Sequence, residues 1–457
     1  MFCPRYRLLT VLCAAFLLAA PADAQPDNDK PTTIRDDEIE RYLHQIADPV
    51  FAAAGLVPAH VQITMIKNPE VNSFVAGGQH IFVHTGLITF SDDPTTVIGV
   101  LAHETGHIRG GHLILKRQEM EASMTDALVG YVLGLGSILA GAPGAGAAVI
   151  SGGQQMAQRE FLRYSRGHEE SADQAALTLL GQVHISPRGL LNLLEKLGTE
   201  QTMLHGQANP FLQSHPLFPE RFAHIRSYLE TNPDKDYPAS ETLKEEHLRL
   251  EAKLRGFIDT PEKVLARYPE TDKSVAARYA RAIAHYRIPE LNKALSEIDR
   301  LIRDYPDDPY FRELKGQMLF ENGHIPESVE AYEQAVERAP DAPMMRLGLA
   351  SSLLAEENKS ASKRAVIHLR RLVVKEPHNS FAWHQLGMAY GSMGNLGMSY
   401  LALAEESSFS GSRKDTRKYL DLAKKNLPEN SAAALKAKEM IESLEKDKKQ
   451  DKDQDSD

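Results

Sequence analysis

Apolar residues recur at helical spacing over residues 34–56, where Ile39, Tyr42, Leu43 and Ile46 share one face and predict an amphipathic helix. The pattern then changes. Val61 to Ile66 is a β-branched run suited to a strand, and His80 to His84 is a second, after the turn-forming pair Gly77-Gly78. Asp92-Asp93-Pro94 reads as a helix start, with an acidic cap and proline in the first turn, where no N–H is needed. The apolar run Val97 to Ala102 carries that helix into His103.

From Ala127 to Gln158 the chain carries no charged residue. Length and hydropathy make Ala127 to Ile150 resemble a membrane span, but Gly130, Gly134, Gly136, Gly141, Gly144, Gly146 and Pro143 make it a poor continuous helix. It is expected as one or two short buried helices with a glycine-rich loop able to touch a membrane surface. Beyond Pro238 the texture is helical without strands. Prolines 269, 306, 340 and 377 are spaced by 37, 34 and 37 residues, near the 34-residue period of tetratricopeptide helix pairs. Trp383, Leu386, Gly387, Tyr390, Gly394 and Ser399 form the clearest unit. Gly316, Phe320, Gly323, Ser328, Tyr332, Ala335 and Pro340 form an earlier one. In such arrays the small residues let paired helices approach and the aromatics fill the gaps.

The chain has 457 residues, a net charge of −10 and two cysteines, Cys3 and Cys13. Both lie in the first 24 residues, which read as a secretory signal: Arg5 and Arg7, an apolar run from Leu8 to Ala20, then Ala22-Asp23-Ala24 as a cleavage site. The mature chain then has net charge −11 and no cysteine. A disulfide framework, a thiol nucleophile and a cysteine metal site are excluded, and the acidic balance argues against nucleic acid as a partner. Any metal must be held by His, Asp and Glu.

His103-Glu104-Thr105-Gly106-His107 is an H-E-x-x-H motif. Residues four apart share a helix face, so both imidazoles can grip one zinc with Glu104 beside it. His112 is tempting as a third ligand. It falls one place short of a metzincin's third histidine, about 140° round a continuing helix from His107, and reads as a decoy. The better candidate lies in the stretch from Ser165 to Asp173, where Glu169 and Asp173 are four apart. Glu169 can ligate the metal, with Glu170 as its nearest rival. Asp173 can accept the outer N–H of a ligand histidine.

H-E-x-x-H followed by S-R-x-x-E-x-x-A-D resembles the gluzincin family that includes the membrane protease HtpX and the CAAX prenyl protease. The secretory signal and C-terminal repeats narrow the resemblance to its periplasmic BepA-like branch. Asn72 to Leu87 resembles the family's strand beside the active site, and Ser214-His215-Pro216-Leu217 with Arg221 resembles its H-P-x-x-x-x-R segment. The resemblance covers roughly residues 30 to 260 and the repeats. It implies one zinc held by His103, His107 and Glu169, Glu104 as general base and Asp173 behind the ligands. It also implies a regulatory or catalytic role for His215, as a fourth zinc ligand that keeps the enzyme latent. On its own chemistry His215 can equally polarise a carbonyl oxygen in the transition state or cap a helix.

The expected architecture is mainly α: a signal peptide (1–24), a linker (25–33) and a gluzincin-type α+β metalloprotease domain with a small β-sheet (34–258). An α-solenoid of repeats (259–435) and a charged, disordered tail (436–457) complete it. Ligands on both sides of residues 127–150 must meet on one zinc, so that segment is not expected to cross a membrane. The expected function is a periplasmic zinc endopeptidase that degrades unfolded or misassembled outer-membrane proteins. Its repeats would hold a client or the outer-membrane assembly machinery, with peripheral membrane contact. The alternative is a repeat-mediated chaperone with a latent protease. The strand near Ile81 to Val83 is expected to pair with an extended substrate.

Overall fold

The computed structural model describes residues 32–112, 166–203, 211, 215–216, 218–409 and 411–454. The expected signal peptide, most of the linker and the apolar segment 127–150 lie outside them, as do Ser165, Ser214 and Leu217. The described residues fall into two units, which divide between Ala280 and Arg281.

In the first unit, helix α1 (Asp37–Ala53) begins where the Asp36 carboxylate accepts the amides of Glu38 and Ile39, both at 3.0 Å. Its apolar stripe, Ile39, Tyr42, Leu43, Ile46, Val50 and Phe51, is buried, as the spacing predicts. A four-stranded sheet follows, built from β1 (Thr33–Ile34), β2 (Gln62–Ile66), β3 (Ser73–Ala76) and β4 (His80–His84) in the order β1-β2-β4-β3. β2 and β4 run parallel, and β3 folds back antiparallel to β4. Gly77 and Gly78 in the β3–β4 turn have φ of +60° and +94°, a backbone that glycine adopts without a Cβ penalty. One expectation is corrected here. The strand containing Ile81 to Val83 is flanked on both sides, by β2 and β3, so its backbone has no free edge for a substrate. The open edge near this end of the sheet belongs to β3.

After α2 (Thr85–Phe90), helix α3 (Pro94–Gly110) starts at Asp93, whose side chain accepts from the Thr95 amide at 2.9 Å, with Pro94 in its first turn. Its first thirteen residues, Pro94 to Gly106, are all buried, which makes it the central helix of the unit rather than an amphipathic surface one. α1 packs against it, as does α5 (Arg188–Met203). Before α5 lies α4, described over 166–182. α6 (Pro219–Thr231) and α7 (Glu241–Ile258) complete the core with Ile225, Leu229, Leu250 and Leu254.

A buried charge cluster ties α1 to later helices. Glu38 meets Arg249 at 2.6 Å and Lys253 at 3.0 Å, and it accepts a hydrogen bond from the Tyr279 hydroxyl at 3.0 Å. Burial opposes its charge, but Arg249 and Lys253 outweigh it and hold the Glu38 carboxyl below its ordinary value.

The second unit contains successive packed helices, from Leu291–Asp304 through Pro309–Glu321, Ile325–Arg338, Pro343–Ala355, Lys359–Lys375, Ser380–Ser392, Leu396–Phe409 and Arg413–Asn426 to Ala432–Gln454. The repeat signature has a direct structural meaning. Ser328 donates to the Gly316 carbonyl and Ser399 to the Gly387 carbonyl, each at 2.8 Å and each twelve residues apart. The Trp383 indole donates to the carbonyl of Pro377 at 2.8 Å, and in the preceding repeat Arg346 reaches Pro340 in the same register at 2.7 Å. Tyr332 lies between Gly316 and Gly348. A Cβ on Gly316 would come within 2.7 Å of its ring, and one on Gly348 would come closer still. The sequence predicts a frayed tail from residue 436, yet the chain stays helical to Gln454. Ala437 is buried there, and Met440, Ile441 and Leu444 pack onto the cluster of Leu420 and Leu427, so the first half of this helix has an apolar anchor.

Two outcomes follow from these packings. Glu38→Ala strands two buried cations and is expected to lower unfolding free energy by about 3–5 kcal/mol in urea titrations at pH 7. Because the folded carboxyl titrates low, its stabilisation is complete above its ordinary value of 4.5 and fades as the pH falls through the lowered one. The gap between variant and wild type should therefore narrow in acid; a constant gap contradicts the charge assignment. Gly348→Ala is expected to cost about 1–3 kcal/mol by overpacking the Tyr332 ring, read as a lower thermal midpoint.

Candidate metal centre

α3 presents His103, Glu104 and His107 on the face turned toward α4. The close approach depends on Gly106, where an added Cβ would stand 2.8 Å from the Ala172 carbonyl oxygen. With the two helices this near, Glu169 of α4 reaches both imidazoles. Its carboxylate oxygens lie 3.3 Å from His103 Nε2 and 3.4 Å from His107 Nε2, and those two nitrogens are 3.1 Å apart. His215 enters from the segment before α6, with Nδ1 3.2 Å from His103 Nε2 and 3.2 Å from a Glu169 oxygen. Four donor atoms, from His103, His107, Glu169 and His215, thus lie within 4.8 Å of one another. Glu170, the rival to Glu169, points outward and is exposed.

Behind these donors stands a second layer of charge. Asp173, one turn beyond Glu169, lies 2.8 Å from His103 Nδ1. Arg221, fully enclosed, donates to Asp173 through Nε at 2.6 Å and Nη2 at 2.9 Å, while Nη1 lies 2.9 Å from Glu169 and 3.2 Å from the Pro216 carbonyl oxygen. The same guanidinium therefore braces a donor, the partner of a second donor, and the backbone beside His215. The sequence resemblance singled out Arg221 only as the end of its segment; its ties to Glu169 and Asp173 follow from the return of α6 onto α4.

Charge balance decides what this pocket can accept. Glu104, Glu169 and Asp173 are buried carboxylates facing one guanidinium, which leaves two negative charges uncompensated by fixed cations. Burial opposes ionisation of Asp173, but Arg221 and His103 hold its carboxyl down at about 2. Burial likewise opposes Glu169, and His215 with the hydrogen bonds from His103 and His107 drives it well below the ordinary range. Burial disfavours charge on His215, yet Glu104 and Glu169 raise it to about 10. The pocket recruits positive charge from an imidazole. Both Glu104 oxygens are buried without a hydrogen bond, His215 Nε2 being 3.3 Å from one of them. Three imidazoles and a carboxylate around a doubly negative pocket match the nitrogen and oxygen donors of a divalent metal such as zinc.

His112 is not among the four donors, but the reason differs from its expected position on a continuing helix. α3 ends at Gly110, and Gly111 at φ +63° turns the chain so that His112 folds back on His107 from the side away from the donors, Nδ1 to Nδ1 at 3.0 Å. Burial, with His107 and His168 beside it, pushes the His112 imidazole down to about 4. The signal for this contact in the sequence is the Gly110-Gly111 pair, which ends the helix one residue before it.

An H-E-x-x-H helix with a carboxylate supplied by a second helix is the donor arrangement of a metalloprotease. Residues 37–229 match Peptidase family M48, and residues 313–378 match a tetratricopeptide repeat family. The chain is 24% identical over 389 residues to the beta-barrel assembly-enhancing protease of Yersinia pestis, an alignment covering 83% of this chain and 77% of that protein. It is 22% identical over 387 residues to the protein of that name in Escherichia coli K12, with the same two coverages. Over 195 residues it is 28% identical to the metalloprotease LoiP of Escherichia coli K12, covering 43% of this chain and 72% of that one. The chain therefore combines an M48 metalloprotease domain with tetratricopeptide repeats. Among the described residues, no helix is long and apolar enough to cross a membrane.

Asp173→Asn removes the charge that both His103 and Arg221 face. It is expected to weaken divalent-metal binding by about 10–100-fold, measured by chelator competition. Unchanged affinity would remove Asp173 from the centre.

Proposed function

We propose that this protein is a periplasmic zinc-dependent endopeptidase that degrades misassembled outer-membrane β-barrel proteins, with the repeats holding clients or the assembly machinery. One observation carries the reading: four buried donors converge beside the carboxylate of Glu104, which has no hydrogen bond of its own. The names of the relatives support the client class, and the Ala22-Asp23-Ala24 signal pattern supports the compartment.

In this reading His103, His107 and Glu169 hold the zinc, and Asp173 and Arg221 keep His103 and Glu169 aimed. When bound, the metal supplies Lewis acidity that polarises the scissile carbonyl and makes water a better nucleophile at neutral pH. Glu104 accepts the proton of the attacking water and delivers it to the leaving amine. Its position suits the task, because its oxygens are committed to no other donor. An extended client segment pairs with the free edge of β3, which restricts cleavage to unfolded or unassembled stretches.

His215 is a fourth donor in the conformation described here and holds the site latent. Its Nε2 also lies 3.3 Å from the carbonyl oxygen of Ser73, the first residue of β3. Displacing His215 would then free a metal position and a backbone acceptor on the edge strand together. The same contact favours a second reading, in which the repeats act chiefly as a chaperone and proteolysis is held in reserve.

Digestion of casein separates the readings. Glu104→Gln is expected to abolish cleavage with an unchanged fold, and His215→Ala to raise it above wild type. Cleavage by Glu104→Gln at the wild-type rate contradicts the mechanism. A loss of activity in His215→Ala assigns that imidazole to the transition state instead.

A further inference from the structure

Each ligand imidazole has a second nitrogen that faces away from the metal, and its partner fixes which nitrogen carries the proton. For His103 the partner is a carboxylate, Asp173. His107 has no carboxylate in that place. Its Nε2 faces Glu169 and His103, and its Nδ1 lies 3.0 Å from Nδ1 of His112. Two ring nitrogens at that distance share one proton, so one donates and the other accepts. An imidazole that offers the Nε2 lone pair to a metal keeps its proton on Nδ1, which makes His107 the donor and His112 the acceptor.

Three features hold His112 in this pose. Gly111 adopts the left-handed backbone that ends α3, with its amide bonded to the carbonyls of His107 and Ile108. The His112 ring then lies directly over Gly110, where an added Cβ would press on Nε2 and stand 2.7 Å from Cδ2 and 2.8 Å from Cε1. On its other side the ring stacks on His168 of α4, with centroids 4.6 Å apart and planes within 17°. His112 is buried. A buried imidazole placed over a glycine and stacked on a second ring, with one nitrogen on a candidate ligand, is a built arrangement.

We propose that His112 is a positioning residue: its Nδ1 accepts the Nδ1–H of His107 and so fixes the tautomer and the ring angle with which His107 presents Nε2 to the metal. The proposal rests on the reading of His107 as a zinc ligand. One ligand histidine is thus steered by a charged carboxylate and the other by a neutral ring. A carboxylate at His112 would add a further negative charge to a pocket that already carries an excess. A neutral acceptor orients His107 without deepening that imbalance.

The test is the zinc affinity of the full mature chain by chelator competition, alongside thermal melting of the metal-stripped protein. His112→Phe keeps the shape and the stack on His168 but removes the acceptor. It is expected to bind zinc about 10–100-fold more weakly and to melt like wild type when stripped. His112→Asn places its amide oxygen where Nδ1 stood and should restore most of the affinity. Gly110→Ala leaves His112 intact, drives a methyl group into its ring and should weaken zinc in the same direction. Wild-type affinity in both His112→Phe and Gly110→Ala overturns the proposal, as does an Asn variant no better than Phe. His107→Ala keeps the two failures apart. If it too binds zinc like wild type, the metal reading of His107 falls; if it loses zinc while His112→Phe does not, only the role of His112 falls.

Discussion

The M48 domain is organised around a charge imbalance that burial makes expensive. Glu104, Glu169 and Asp173 are enclosed with a single guanidinium, that of Arg221. An isolated carboxylate in such a place would be protonated or would pull in a cation. Here each carboxylate is kept ionised by neighbours on a different part of the chain: histidines of α3 for Glu169, Arg221 of α6 for Asp173, His215 for Glu104. The cluster is therefore what fastens these segments together, and a divalent cation is the natural completion of it. Stability of the fold and competence of the site draw on the same few contacts.

The scaffold serves that requirement. α3 is buried through Gly106, so its H-E-x-x-H face cannot drift. Gly106 lets α4 come close enough for Glu169 to reach both imidazoles. The return of α6 delivers Arg221 to the back of the site and a bond to the Pro216 carbonyl holds the chain beside His215. The β3 edge lies on the other side of His215, through Ser73. Metal donors, general base and candidate substrate strand are thus linked through one imidazole.

Much of this was legible in the sequence because it is written in local spacing. H-E-x-x-H and the four-residue step from Glu169 to Asp173 are helix periodicities, and the H-x-x-x-H pair needs no tertiary knowledge to be placed on one face. The repeats were legible for the same reason: Ser328 to Gly316 and Ser399 to Gly387 recur at one spacing, and Trp383 keeps its distance from Pro377. What escaped depended on folding back. His112 contacts His107 because the helix stops at Gly110, whereas the angle computed for a continuing helix put it out of reach. Arg221 acquires its partners across about fifty residues of chain. The free edge of the sheet falls on β3 because β4 inserts between β2 and β3, an order that no strand propensity encodes. The charged end of the chain reads as a tail by composition, yet a few apolar positions, Ala437, Ile441 and Leu444, give it a surface to pack on.

The central claim is that this pocket holds a metal through three imidazoles and one carboxylate. X-ray absorption at the zinc edge, on protein purified without chelator and quantified for metal content, measures that directly. The account predicts a single zinc per chain with multiple-scattering features of about three imidazoles and an oxygen donor at close to 2.0–2.2 Å. Protein that is fully folded and carries no stoichiometric metal, or a zinc surrounded by oxygen alone, would contradict it.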